Sequence, residues 1–253
     1  MGHHDCSPGR SRLYRFFVAP GALAAGHVTF DRGQQHQLCK VLRLHDGHAV
    51  LVCDGSGQEF LTTLKGAGAS LWGEVQESRP GTPAPRCQVF LYQSALRGDR
   101  FTWLLQKGAE IGVHCFIPVR FNFTQVADFA ARQDRYQTVV REAAEQCGRS
   151  HLPLVLAPLA LQDALAHSLT LSGATRLLLD EQEESRSFSQ SLDPTVRTLC
   201  LFVGPEGGLA QDERRLAQAH GLLPVTLGSH ILRSETAGII AAALALQKSG
   251  DLG

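Results

Sequence analysis

The stretch FVGPEGGLAQDE, residues 202–213, contains the sequence signal that decides the fold of the second half of the chain. An apolar run ends in Gly-Pro-Glu-Gly-Gly, and polar residues typical of a helix start follow at once. In open α/β sheets, ligands bind beyond the carboxyl ends of the strands, where glycine-rich turns lead into helices. We therefore expect a ligand to approach the backbone of this turn.

The common phosphate-binding motifs do not fit this turn. A P-loop requires Gly-Lys-Ser/Thr, whereas Gly207 and Gly208 are followed by Leu209. The spacing of the dinucleotide motif GxGxxG is also absent, and the carboxylate of Glu206 would repel a phosphate. A ligand with a neutral or cationic portion fits better, and S-adenosylmethionine, which carries a sulfonium, is such a ligand.

A second stretch, LGSHILRSETAG at residues 227–238, also follows a predicted strand and precedes a predicted helix. Ser234 is the predicted N-cap of that helix, and Glu235 lies in the first turn, where the helix dipole favours an acid. Either loop alone is more simply interpreted as a plain turn. Together, with the charged pair Arg233 and Glu235, they predict one composite pocket.

Strands alternate with helices from residue 87 onward, which predicts a parallel sheet covered by helices. The predicted strands are CQVFLYQ, CFIPVRF, LPLVLA, RLLLD, TLCLFVG and LLPVTLG. The predicted helices are RFTWLLQKGAEIG, DRYQTVVREAAEQC, LQDALAHS, LAQDERRLAQAHG and SETAGIIAAALALQ. In the last helix, residues 239–246 are apolar all round, which predicts burial on more than one face, within the domain or at a subunit interface.

The chain before residue 78 has a different organisation. Short alternating runs (RFFV, HVTF, HAVLVCDG, EFLTTL and LWGEVQ) predict the strands of a small β-barrel, interrupted by one helix at about residues 34–42. Three prolines and a glycine in residues 78–87 mark a linker. Residues 1–10 are predicted to be a disordered tail.

The composition describes a globular chain without a strong overall charge. Its 253 residues contain 24 basic and 24 acidic side chains, so no global field attracts a polyanion. The seven cysteines are dispersed without CxxC or metal-ligand spacing, which predicts reduced thiols, no metal and a cytoplasmic protein. No apolar run is long enough to predict a membrane span.

The paired glycine motifs, FVGPEGGLAQDE and VTLGSHILRSETA, strongly resemble the bacterial family of small-subunit (16S) ribosomal RNA uracil-N3 methyltransferases, within the SPOUT superfamily. YRFFV, HQLCKVLRLHDGHAVLVCDGSG, QKGAEIGVHCFIPV and REAAEQCGRSHLP extend the resemblance over nearly the whole chain. His230 departs from it, because an arginine is usual there.

The resemblance implies an α/β fold in which a C-terminal SPOUT domain with a deep trefoil knot, residues 88–253, follows a PUA-like β-barrel RNA-binding domain, residues 11–78. A linker at residues 79–87 joins them. It also implies S-adenosylmethionine as cofactor, ribosomal RNA of the small subunit as partner, and a homodimer that buries the last helix.

Site residues follow from the same resemblance. Arg233 would stabilise the charge that spreads over the uracil carbonyl oxygens when N3 is attacked, and Glu206 or Glu235 would accept the N3 proton. The implied cofactor-binding residues are Leu179, Phe202, Val203, Gly204, Pro205, Glu206, Gly207, Gly208, Leu227, Gly228, Ile231, Leu232, Thr236 and Ala237.

RNA contacts are expected in two places. Residues 1–45 contain six basic and two acidic side chains, and phosphate neutralisation supplies most nucleic-acid affinity. The candidates are Arg15, Arg32, Lys40 and Arg43, together with Glu145, Gln146 and Arg149 in REAAEQCGR. Two alternatives remain open: a SPOUT enzyme that methylates a ribose 2′-hydroxyl, and an RNA-binding assembly factor without activity, which His230 would favour.

Overall fold

A computed structural model describes residues 13–19, 21–124 and 129–253. The predicted disordered tail, residues 1–10, lies outside the described residues. Contacts divide the chain into two units. Unit 1 comprises Met1–Pro83 with Gly148–His151, and unit 2 comprises Ala84–Cys147 with Leu152–Gly253. The short segment Gly148–His151 therefore belongs to unit 1, although it follows a helix of unit 2.

Unit 1 is built on a six-stranded sheet. Its strands are β1 (Arg15–Phe17), β2 (Leu23–Ala24), β3 (His27–Thr29), β4 (Ala49–Cys53), β5 (Gln58–Lys65) and β6 (Trp72–Pro80). The order is β1-β4-β5-β6-β3-β2; β1 and β4 are parallel and the other pairs are antiparallel. Phe16, Val28, Val50 and Leu64 are among its buried core residues. The five strands expected from alternation are present.

The helix predicted at residues 34–42 is found as two short segments, α1 (Arg32–His36) and a π-helical turn, Gln37–Val41. It begins early because Asp31 and Gln34 form a capping box. The Asp31 carboxylate accepts from the Gln34 amide at 2.8 Å, and the Gln34 side chain accepts from the Asp31 amide at 3.1 Å.

Unit 2 contains a seven-stranded sheet. Its strands are β7 (Gln88–Ser94), β8 (Cys115–Arg120), β9 (Leu154–Val155), β10 (Leu159–Ala160), β11 (Thr175–Leu179), β12 (Thr198–Val203) and β13 (Leu223–Val225). All its pairs are parallel, in the order β10-β8-β7-β12-β11-β13, with β9 beside β8. The predicted parallel sheet is confirmed. LPLVLA forms only the two-residue β9, because Pro153 and Pro158 cannot donate to a ladder.

Five helices accompany this sheet: α2 (Arg100–Ile111), α3 (Gln133–Cys147), α4 (Leu161–Thr170), α5 (Gln211–Ala219) and α6 (Ser234–Lys248). Alternate strand residues enter two separate cores. Val89 and Leu91 of β7 pack with α2, α3 and α6, whereas Phe90 and Tyr92 pack with α4 and α5. A parallel sheet is covered by helices and buried on both faces, which explains the nearly continuous apolar runs of β7 and β12.

The last helix, α6, is buried along most of its length. It packs against β7, β12 and α2. Ile240 and Leu244, one turn apart, remain 43% and 38% exposed. Burial on more than one face is therefore confirmed within the chain, but one apolar stripe of the helix stays uncovered. No helix of the described residues is long and apolar enough to cross a membrane.

Candidate active site

The two glycine-containing loops lie side by side at the carboxyl edge of the unit 2 sheet. In the strand register, Leu179 at the end of β11 pairs with Val203 on one side and Val225 on the other. The loops that follow β12 and β13 therefore leave the same edge. The Ser234 hydroxyl donates to the Gly204 carbonyl at 2.6 Å, which joins the end of one loop to the start of the other.

A buried hydrogen-bond chain fixes this junction. Gln93, at the end of β7, donates through Nε2 to the Ser234 hydroxyl at 2.7 Å, and Ser234 donates onward to Gly204. A Cβ at Gly238 would lie 2.5 Å from Gln93 Oε1, so only glycine leaves room for this amide. The prediction that Ser234 is the N-cap of α6 is wrong. Arg233 occupies the N-cap position, and the Ser234 hydroxyl binds the Gly204 carbonyl instead.

A Cβ added at three glycines of the turn would meet other parts of the protein, so close packing also requires glycine at these positions. A Cβ at Gly204 would lie 3.0 Å from Leu209, and one at Gly207 would lie 3.3 Å from Phe123. Gly208 has φ +77°, and its Cβ would lie 2.7 Å from a carboxylate oxygen of Glu181. Only Gly228 of the predicted set faces open space, with φ +123°.

Arg214, on α5, binds the residue that ends the glycine turn and two acids that follow β11. Its guanidinium donates to the Leu209 carbonyl at 2.6 Å and to Glu181 at 2.7 Å, and its Nε lies 3.0 Å from Asp180. Asp180 is 6% exposed, so its charge requires this partner. Arg214, Asp180 and Glu181 are not among the site residues predicted from the sequence, although two acids directly after β11, at the ligand-binding edge, could have indicated them.

Glu213 is a second support that the sequence analysis missed. Its carboxylate is 5% exposed and accepts from the amides of Ala210, at 2.9 Å, and Asn122, at 2.7 Å. It therefore ties the turn after β12 to the loop after β8. The acid at the third position of α5 is half of a capping-box pattern and could have indicated this role.

Three of the predicted residues line one depression. Arg233, Glu235 and Thr236 surround about 200 Å³ of space together with Arg100 and Trp103. Glu235 is only 6% exposed, and its Oε2 has no hydrogen-bond partner among the described residues. A buried carboxylate oxygen without a donor is costly, so this atom is suited to a donor supplied by a ligand.

Glu206 has a different environment. Its carboxylate forms an ion pair with Arg100, and the two side chains are 47% and 38% exposed. An exposed pair contributes little to stability, but it occupies the carboxylate that was one of the two candidate proton acceptors. The geometry therefore favours Glu235 over Glu206 for that role.

Residues 82–246 match a sequence family described as RNA methyltransferase domain. The chain belongs to this family. It is 34% identical to ribosomal RNA small subunit methyltransferase E of Synechocystis over 91% of this chain and 76% of that relative. The Bacillus subtilis protein of the same name is 28% identical over 81% of this chain and 84% of that relative.

Two solved structures are similar along most of their length. A protein of Legionella pneumophila, determined with bound S-adenosylmethionine, has a TM-score of 0.84 and 26% identity over 93% of this chain and 97% of that one. Ribosomal RNA small subunit methyltransferase E of Neisseria gonorrhoeae, also bound to S-adenosylmethionine, has a TM-score of 0.82 and 29% identity, covering 91% and 95%.

The remaining cofactor candidates of the methyltransferase domain divide by exposure. Phe202 is fully buried and its ring stacks on Tyr92, with centroids 4.1 Å apart, so the ring belongs to the core and only the backbone of Phe202 remains a candidate for the cofactor site. Leu227 packs against the core beside Leu179 and Ala237. In contrast, Ile231 is 87% exposed, an apolar side chain that a ligand or partner could cover.

The candidate RNA contacts also separate. Arg15 forms an ion pair with Glu59 at 2.7 Å and its side chain is 10% exposed, so it is committed to the interior of unit 1, contrary to the expectation. Arg32, Lys40 and Arg43 are exposed in unit 1. The other three candidates all come from the stretch REAAEQCGR. Glu145 and Gln146 lie in the last turn of α3, whereas Arg149 belongs to unit 1.

Proposed function

We propose that the chain transfers a methyl group from S-adenosylmethionine to N3 of a uridine in 16S ribosomal RNA of the small subunit. The single observation that carries the proposal is the unpaired Oε2 of Glu235, buried beside Arg233 where the two loops meet. A methyltransferase acting at uracil N3 must remove a proton from that nitrogen, and this oxygen is an acceptor without a donor.

The cofactor fits the residues of this edge. Glu235, whose Oε2 has no donor among the described residues, provides negative charge for a cationic ligand, and the exposed Ile231 and Leu232 provide apolar surface that a ligand would cover. When bound, S-adenosylmethionine supplies a methyl group already activated by its sulfonium. The protein must then chiefly hold the acceptor nitrogen in line with that methyl group.

Two side chains perform the remaining work in this proposal. Glu235 accepts the N3 proton at Oε2, while the bond from N3 to the methyl carbon forms and the carbon–sulfur bond breaks. Arg233 stabilises the negative charge that N3 deprotonation spreads onto the neighbouring carbonyl oxygens. The backbone of residues 203–208 and 227–232, with Leu179, Thr236 and Ala237, forms the cofactor site.

The architecture is part of the proposal. We infer that unit 2 is a SPOUT domain with a deep trefoil knot and that unit 1 is a PUA-like RNA-binding barrel, with domain bounds at residues 11–78 and 88–253. The paired glycine motifs and the similarity to the Neisseria gonorrhoeae enzyme along 91% of this chain support this assignment. Arg32, Lys40, Arg43, Glu145, Gln146 and Arg149 are the proposed RNA contacts, and the enzyme is expected to work in the cytoplasm.

A homodimer is also proposed, because α6 leaves Ile240 and Leu244 exposed on one stripe. Covering an apolar stripe with its own copy is the usual solution in symmetric dimers. Sedimentation of the wild-type chain and of Leu244→Lys tests this. We expect a dimer that the substitution weakens, and a wild-type monomer at all concentrations would contradict it.

Nucleoside mass spectrometry of 16S ribosomal RNA incubated with the protein and S-adenosylmethionine tests the reaction. We expect 3-methyluridine as the product. The rate of its formation should fall roughly 10²–10³-fold in Arg233→Ala, because the loss of one transition-state donor costs about that much. Calorimetry should show unchanged cofactor affinity. Appearance of a 2′-O-methylated nucleoside would favour the ribose-directed enzyme, and absence of cofactor binding would favour the inactive assembly factor.

A further inference from the structure

A second depression adjoins the candidate active site. It is shallow and open to solvent, spans about 480 Å³ and is lined by Arg97, Gly98, Asp99, Arg100 and Trp103. These five residues are called here the Arg97–Trp103 surface. Arg100 and Trp103 also line the depression that contains Arg233 and the unpaired Glu235, so the two depressions adjoin each other. A ligand longer than one nucleotide could occupy both.

The local sequence explains why this surface is presented to solvent. After β7, Ala95 and Leu96 are 5% and 3% exposed and anchor the loop in the core. The chain then turns outward at Gly98, which has φ +62° and no neighbouring atoms that would meet a Cβ. Arg97 is consequently exposed at the carboxyl edge of the sheet, where the two proposed cofactor loops also begin.

Trp103 is the apolar element of this surface. It lies in the first turn of α2 and is 42% exposed, although tryptophan is among the side chains most stabilised by burial. No other ring stacks on it in the described part of the chain. An exposed indole face of this kind can accept a nucleobase whatever its identity, since every base has a π-face.

The charged side chains of the Arg97–Trp103 surface differ in whether they have an ion-pair partner. Asp99 lies 3.4 Å from Arg135, and Arg100 is paired with Glu206. Arg97 has no ion pair among the described residues, so one positive charge remains available. An uncompensated arginine beside an aromatic ring is the combination that binds single-stranded nucleic acid, through phosphate and base respectively.

We infer that the Arg97–Trp103 surface binds the single-stranded RNA next to the methylated uridine, with Trp103 stacking on a neighbouring base and Arg97 contacting a phosphate. This inference rests on the proposed function, because it assumes that the target base enters the depression of Arg233 and Glu235. It adds a base-stacking residue in the catalytic unit, where the sequence analysis expected none.

Fluorescence of Trp103 tests the stacking directly. The chain has two tryptophans, so a Trp72→Phe background leaves Trp103 as the single reporter. We expect saturable quenching when oligouridine RNA is added, and much weaker quenching with double-stranded RNA of the same length. Oligouridine binding with no change in Trp103 emission would overturn the stacking role.

Binding of labelled oligouridine, followed by anisotropy at several salt concentrations, separates the two contacts. Trp103→Ala should raise Kd about 5- to 100-fold with the salt dependence unchanged, and Trp103→Phe should recover most of the loss. Arg97→Gln should lower the slope of log K against log salt by about 0.7, the value for one single-strand phosphate. Arg197→Gln, an exposed arginine at the opposite end of β12, is the matched control and should change neither quantity.

Failure of this inference is distinguishable from failure of the proposed function. A protein that methylates ribosomal RNA but keeps its RNA affinity in both variants would overturn the inference and leave the function standing. Loss of self-association in Trp103→Ala with unchanged RNA affinity would likewise overturn it, because Trp103 would then face a second copy. Weakened RNA binding in the two variants, with no cofactor binding by wild type, would support the surface and contradict the function.

Discussion

Replacing Ser234 by alanine removes the hydroxyl that links three elements of the candidate site. Gln93 Nε2 loses its acceptor at 2.7 Å, and the Gly204 carbonyl loses its donor at 2.6 Å. Gln93 is fully buried and its Oε1 already has no partner among the described residues, so the whole amide would be left unpaired. Each buried group without a partner costs about 1–3 kcal/mol, so the two groups together predict a loss of about 2–6 kcal/mol in the free energy of unfolding.

Urea unfolding of four proteins measures this effect: wild type, Ser234→Ala, Gln93→Leu and the double variant. Gln93→Leu removes the amide that the serine serves, so Ser234→Ala should cost about 1–3 kcal/mol less in that background. Ser168→Ala is the matched control, because Ser168 is also buried but its hydroxyl donates only to a carbonyl of its own helix at 2.7 Å. Equal costs of Ser234→Ala in both backgrounds would refute the proposed chain.

Two further predictions concern stability. Gly208→Ala should destabilise the protein by more than Gly173→Ala in thermal unfolding. Both glycines have positive φ, but a Cβ at Gly208 would also lie 2.7 Å from Oε1 of Glu181 and displace this carboxylate oxygen from Arg214; equal losses would contradict this contact. Burial alone raises the pKa of Glu59, but hydrogen bonds, led by that from Ser150, lower it below its ordinary value. The ionised carboxylate therefore stabilises the fold above about pH 4.3, and this contribution is lost as the pH falls further. Glu59→Gln should consequently flatten the acid limb of the plot of unfolding free energy against pH. An unchanged acid limb would argue against this contribution of Glu59.

Much of the fold was predictable because its signals are local. The strands of unit 2 are short apolar runs between turn residues, and most of its helices have a periodic apolar face, so the alternation of the two predicts a parallel sheet. The adjacency of the two glycine loops also followed from the sequence, since parallel strands bring their carboxyl ends to one edge. The exception was the segment around Leu154–Val155, where two prolines limited the strand.

The interactions that hold the site were not predictable, because they join residues distant in sequence. Gln93 and Ser234 are separated by 141 positions, and no pattern in either segment indicates that one serves the other. Ser234 was interpreted as an N-cap because serine before a helix usually has that role. Similarly, the sequence makes Arg15 a candidate RNA contact, and only the strand order β1-β4-β5 brings Glu59 of β5 within reach as its partner.

The placement of the glycine turn suggests why its tight sequence is needed even though three of its glycines face protein atoms. Leu209 packs against Gly204, Arg214 holds the Leu209 carbonyl, and Ser234 holds the Gly204 carbonyl. The turn is therefore held by close packing at Gly204 and by hydrogen bonds to the carbonyls of Leu209 and Gly204. Because a methyl transfer depends on holding two reactants in line, a turn whose position is set by packing is better suited to the task than one that adapts to its ligand. Glycine here makes the loop rigid through close approach, and the ligand meets a surface already in place.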